Sequence, residues 1–218
     1  MKLQHFFSLL AVFLIACSTE KTEERSRTEY LPYYNEATFT PKWFEPESDS
    51  LRGFHQISSF NLTNQDGELI TEKTFEEKIY VTDFFFTICP GICPKMTSSM
   101  LSLQKKFAND EDVFLLSHFV MPENDSVEVL KSYAESRGID SKKWHLVTGK
   151  REEIYSLGRN DYFVEEDLGL EKSKNDFLHT ENFVLIDKNR RIRGIYNSLN
   201  KTAMRQLVAD VETLKKEG

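Results

Sequence analysis

From Phe54 onward the chain settles into regular runs of apolar and polar positions. "HQISSFNLTNQDGELIT" alternates around Asp66-Gly67, a turn dipeptide, which predicts a β-hairpin. Lys78 to Phe86, "KIYVTDFFF", is a nearly unbroken run of β-formers and predicts a strand covered on both faces. Met96, Met100, Leu103 and Phe107 then fall at i, i+4, i+7 and i+11, the stripe of an amphipathic helix. "DVFLLSHFV" reads as a strand, Ser126 to Ser136 as a helix, "WHLVT" as a strand and Glu152 to Arg159 as a short helix. "ENFVLIDKNRRIRGIYN" gives two strands joined around Asp187 to Arg190, and Lys201 to Lys216 a closing helix. This alternation predicts an α/β domain over 54–218, with a mixed central sheet, helices on both faces and an N-terminal hairpin extension.

Upstream the periodicity disappears. "EYLPYYNEATFTPKWFEP", within residues 29–53, is too aromatic for a free linker. It is expected to lie extended on the body through Tyr30, Tyr33, Tyr34, Phe39, Trp43 and Phe44. Residues 18–28, "STEKTEERSRT", are polar and aperiodic and read as a flexible tether. Residues 1–17 carry Lys2, an apolar run from Phe6 to Ile15, then Ala16 and Cys17, the layout of a secretory signal too short to span a bilayer. Leu14-Ile15-Ala16-Cys17 resembles a bacterial lipobox, which implies lipidation at Cys17 and an extracytoplasmic, lipid-anchored protein, facing the periplasm in a diderm cell.

At 218 residues and 39% hydrophobic content, the chain can bury one substantial core. A formal charge of −7 offers no basic surface for nucleic acid, and membrane contact is expected only through the anchor. Assigning Cys17 to lipid leaves two cysteines, Cys89 and Cys93, in "TICPGICPKMT". A proline follows each, which biases both cysteines away from helix and puts the helix start at about Pro94. Both sulfurs then occupy a loop at a helix N-terminus, where the dipole favours thiolate. At helical i, i+4 spacing the β-carbons would stand about 5–6 Å apart, too far for a relaxed disulfide at about 3.5–4.5 Å. Gly91 lets the loop close and reopen, and so short a loop restrains the unfolded chain little, so a purely structural staple is the weakest reading. A redox couple and a soft-metal site both stay open. Two thiolates suit Cu(I) and then Zn(II), and need at least one more ligand from among His55, His118, His145 and His179. Periodicity does not choose among those four.

"DFFFTICPGICPKMT" and "DFLHTENFVLID" together resemble the signature motifs of the SCO/SenC proteins, and the likeness runs from about Phe54 to the C-terminus. The resemblance implies a thioredoxin-like domain that binds copper, as Cu(I), Cu(II) or both, through Cys89, Cys93 and His179. It further implies a metallochaperone for the dinuclear copper centre of cytochrome c oxidase. The partners would be the copper-centre subunit and, upstream, a copper donor or a thiol reductant. A thiol-disulfide reductase that keeps the oxidase's ligand cysteines reduced is the alternative. It would use Cys89 and Cys93 as the couple and Asp83 as proton acceptor, since Asp83 stands six residues before Cys89, the spacing of the buried aspartate in thioredoxins. A carboxylate reaching solvent is the other reading of Asp83. His118 precedes Met121-Pro122, where many family members carry an aspartate-proline motif, and is kept as a weak candidate beside a core role. Met96 and Met100 are read as packing. A thiol peroxidase would need an arginine and a threonine at the attacking Cys89, and Thr87 supplies at most half of that.

Overall fold

The computed structural model describes residues 26–164 and 180–217. The apolar run after Lys78 forms β3 (Ile79–Phe85), with all seven residues buried. It pairs in parallel with β4 (Val113–Phe119) on one side and antiparallel with β6 (Asn182–Ile186) on the other. Such an interior strand has no polar face to show, which is why its sequence does not alternate. β5 (Trp144–Thr148) continues the parallel part beside β4, and β7 (Ile192–Asn197) closes the far edge against β6. The hairpin of β1 (Asn61–Asn64) and β2 (Leu69–Thr71) adds two antiparallel strands to β5. The seven-stranded order is β2-β1-β5-β4-β3-β6-β7. In the hairpin, Asn64 Oδ1 accepts the Asp66 and Glu68 N–H groups, while Gly67 takes φ +80°, which favours glycine.

The period of two along the strands sorts side chains onto two cores. On one face, Val81, Phe85, Leu115, Phe119 and Leu146 meet α1 (Cys93–Lys106), α2 (Val127–Arg137) and α4 (Lys201–Glu217) through residues such as Met96, Met100, Leu130 and Leu207. On the other face, Tyr80, Phe84, Leu116 and Val147 pack with Leu62 and Ile70 of the hairpin and Ile154 of α3 (Arg151–Ser156). Each fully buried side chain of this size contributes roughly 1.5–3 kcal/mol. Helices thus flank both faces of a mixed sheet, as a thioredoxin-like domain requires, with three on one side and one on the other among the described residues. Met96 and Met100 are core residues with no exposed surface, in keeping with their helical spacing.

Local differences from the sequence reading have physical causes. α1 starts at Cys93, one residue early, because Ile92 is already near helical geometry at φ −83°, ψ −29°. Pro94 occupies the first turn, where its missing N–H costs nothing. The helix predicted to reach Arg159 ends at Ser156 and continues as a π turn over Leu157–Asp161.

In the aromatic segment, Tyr34 N–H donates to the Ile192 carbonyl at 3.1 Å, extending the edge at β7. Tyr33 is buried beneath the Arg193 guanidinium, which lies 3.8 Å from its ring centroid. Arg193 also donates to the Leu31 and Pro32 carbonyls and pairs with Asp187 and Glu217. Trp43 differs from the expectation: it is 53% exposed and packs little. Among the described residues, no helix is long and apolar enough to cross a membrane.

Candidate metal centre

The chain leaves the end of β3 at Phe85 and reaches α1 through the cysteine loop, so both sulfurs lie at the C-terminal end of the parallel strands, where open α/β sheets place their ligands. Cys89 is half-buried and Cys93 is buried, and both are free thiols. No side chain of the usual capping type closes the N-terminus of α1. Instead the backbone N–H groups of Gly91, Ile92 and Cys93, together with the Cys93 thiol, hydrogen-bond to the Cys89 sulfur. Desolvation acts to raise the Cys89 pKa, but these donors outweigh it and hold the group below the ordinary thiol value. Cys93 moves the other way. Burial, its hydrogen bond to Cys89 and the neighbouring charges of Cys89 and Asp83 push it up to about 12. Cys89 is therefore the more readily deprotonated of the two thiols, and Cys93 stays protonated beneath it.

Asp83 lies below this pair. On β3 it shares the face of Val81 and Phe85, toward α1, and it is 1% exposed, which removes the reading in which it reaches solvent. Ser117, its partner in register on β4, donates to Asp83 Oδ1 at 2.5 Å, and Trp144 Nε1–H donates to Ser117 Oγ at 2.8 Å. Desolvation pushes the Asp83 pKa up to about 7, with the Ser117 bond opposing. Thr97 on α1 donates to the Cys93 carbonyl, and Tyr133 of α2 hydrogen-bonds to Thr97 Oγ1 at 2.7 Å. These contacts tie the first turn of α1 to its neighbours.

The histidines separate. His118 is fully buried on the opposite face of the sheet, stacked on Phe84 with centroids 4.4 Å apart and bonded through Nδ1 to Thr82 at 3.1 Å. Burial pushes its pKa down to about 3, and its Nε2 has no hydrogen-bond partner. It is a core group. His145, on that same face, contacts Asn64 and Phe114, and His55 bonds to the Asp161 carbonyl. Among the described residues, no cluster of three Cys, His, Asp or Glu side chains could hold a metal ion. His179 and Cys17 lie outside the described residues.

One group went unseen in the sequence. Asp125, at the foot of α2, is fully buried and accepts a short hydrogen bond from Thr87 Oγ1, two residues before Cys89. Its other oxygen is buried without a partner. Burial raises the Asp125 pKa against the bonds from Thr87. This tie fastens the cysteine loop to the β4–α2 connection. In a run as polar as "MPENDS" nothing marks one acid as buried, so only the fold reveals it.

Comparison with known proteins agrees with this geometry. The SCO1/SenC family profile matches residues 48–216. A SCO1/SenC family lipoprotein from Bacillus anthracis superposes with a TM-score of 0.65 at 30% identity, over 74% of this chain and 95% of that one. BsSco, described as a member of the Sco family of cytochrome c oxidase assembly proteins and as having a disulfide switch, gives 0.62 at 28% identity, over 74% and 94%. Arabidopsis thaliana ScoI, solved with copper bound, gives 0.57 at 25% identity, over 73% and 98%. With its dithiol loop at the head of α1 and a family match over most of its length, the chain belongs to the SCO1/SenC family.

Proposed function

We propose that this protein is a membrane-tethered, extracytoplasmic copper chaperone that delivers copper to the dinuclear copper site of cytochrome c oxidase. The observation that carries the reading is the cysteine pair at the N-terminus of α1, in a chain whose relative holds copper. Cys89 and Cys93 supply two soft sulfur donors, and His179 is the proposed third ligand. The antiparallel register of β6 on β3 supports His179, because β6 begins at the end of the sheet from which the cysteine loop departs. Binding copper requires loss of the Cys93 proton, and Asp83 is the nearby buried carboxyl suited to take it. The lipobox at Cys17 and the lipoprotein from Bacillus anthracis support the tether.

A second reading is favoured by the contrast between the two thiols. In a reductase, the Cys89 thiolate attacks one sulfur of a partner disulfide and expels the other as a thiolate. Cys93, deprotonated toward Asp83, then attacks Cys89 and releases the second partner thiolate. The partner gains two electrons and the Cys89–Cys93 pair becomes a disulfide.

Titrating the reduced chain with Cu(I) and Cu(II) under absorption spectroscopy separates the readings. The chaperone reading expects one copper per chain and thiolate-to-Cu(II) bands that shift or vanish in His179→Ala. Absence of tight copper binding, with a readily cycled disulfide, would leave the reductase.

A further inference from the structure

Between α1 and α4 runs a groove of about 510 Å³ that neither the sulfurs nor the proposed ligands use. Small residues on α1, Ser98, Ser99 and Ser102, leave the cleft open, and Leu103, Leu199, Met204 and Val208 form an apolar floor and wall. Leu199 is 41% exposed, although large apolar side chains are usually covered. The rim carries Lys95, Lys106, Lys201 and Arg205, and among the described residues no acidic one lines the groove. In a chain with net charge −7, that is a local reversal of sign. Of the four cations, Lys106 has an ion pair, a loose 3.9 Å contact with Glu212 at the groove's outer end. Three of the lining serine hydroxyls are already committed, Ser98 to the Pro94 carbonyl, Ser102 to that of Ser98 and Ser99 to that of Ser198, while Ser198 Oγ is buried without a partner. The exposed donors for an incoming acid are therefore the four cations.

The groove's direction links it to the dithiol. Lys95 is two residues past Cys93, and Lys106 ends α1. Their separation along the helix is about 16 Å, which matches about five residues of extended chain.

We propose that this groove docks an acidic segment of a partner protein, with carboxylates on the lysine and arginine rim and one or two apolar side chains on the Leu199–Val208 floor. A segment lying along it would bring the partner's adjoining residues to Cys89. This rests on the transfer reading above, in which a partner must approach the sulfurs. Electrostatic pairing across such a rim governs the rate and selectivity of encounter, while the apolar floor holds the bound segment.

The test is fluorescence anisotropy of the intact chain with a labelled hexapeptide alternating aspartate and leucine, beside one alternating lysine and leucine. The acidic peptide should bind and the basic one should not. Raising the salt should weaken binding through screening. The double variant Lys201→Glu/Arg205→Glu should weaken binding by about tenfold or more, and Leu199→Ser by a smaller factor. Copper stoichiometry is measured on the same proteins. If the variant loses the peptide and keeps the wild-type copper stoichiometry, the groove is a docking site separate from the metal centre. If the wild type takes the peptide but no copper, the metal reading fails and the groove stands. The proposal is overturned if the wild type ignores the acidic peptide up to about 1 mM, or if the double variant binds it equally well. Capture of phosphatidylglycerol vesicles without peptide binding would assign the groove to a membrane surface. Self-association in sedimentation that the double variant abolishes, without peptide binding, would assign it to a second copy of the chain. Either of these results also overturns the proposal.

Discussion

Asp83 and His118 occupy adjacent register positions on paired strands, both fully buried, yet they face opposite sides of the sheet. Asp83 points toward α1 and influences Cys93, and its acid is held protonated up to about 7. His118 stacks on Phe84 in the other core and is held neutral down to about 3. Burial drives both shifts, so a perturbed pKa by itself does not identify a functional group. What distinguishes them is the period of two along the strand, which gives one of them the dithiol as neighbour and the other aromatic rings and the Thr82 hydroxyl.

The largest effect that could break this contrast concerns copper. Cys93→Ser is expected to abolish tight copper binding, whereas His118→Ala should leave the stoichiometry intact; equilibrium titration of both variants checks this, and loss of copper in His118→Ala would invert the assignment. The next effects are thermodynamic and opposite in sign. An unfolded aspartate ionises near 3.9 and folded Asp83 near 7, so its unfavourable ionisation erodes stability as pH rises between those values. Asp83→Asn should therefore gain relative to wild type from pH 4 to pH 8, by on the order of 4 kcal/mol. His118 works in the other direction. Below about 6.5 the unfolded chain takes up a proton that the folded chain refuses until about 3, so its stabilisation is lost as pH falls. His118→Phe should flatten that acid limb. Denaturant melts across pH measure both variants, and parallel slopes would remove the distinction between the faces. The smallest effect is expected at the loop tie: Thr87→Val removes the hydroxyl bond to Asp125 Oδ1, keeps the backbone bond from residue 87 and should cost about 0.5–1.5 kcal/mol in the same melts.

Much of this frame was readable in the sequence because it rests on local patterns. The unbroken run of β3, the methionine stripe of α1 and the Asp66-Gly67 turn each encode their own element. The cysteine loop was legible too, since the prolines after Cys89 and Cys93 restrict the backbone on the spot. Features formed by contacts distant in sequence were not. Asp125 looks solvated until α2 folds against Thr87, and Arg193 sits in a charged run, yet it is 3% exposed and clamps Leu31, Pro32 and Tyr33. The face on which His118 lands depends on strand pairing that no single run of residues states.

X-ray absorption at the copper edge of the Cu(II)-loaded chain, beside His179→Ala, reads the proposed ligand set itself. Two sulfur scatterers and one imidazole are expected on the metal, with the imidazole contribution absent from the variant. A shell of nitrogen and oxygen alone, or an imidazole signal unchanged in His179→Ala, would contradict it.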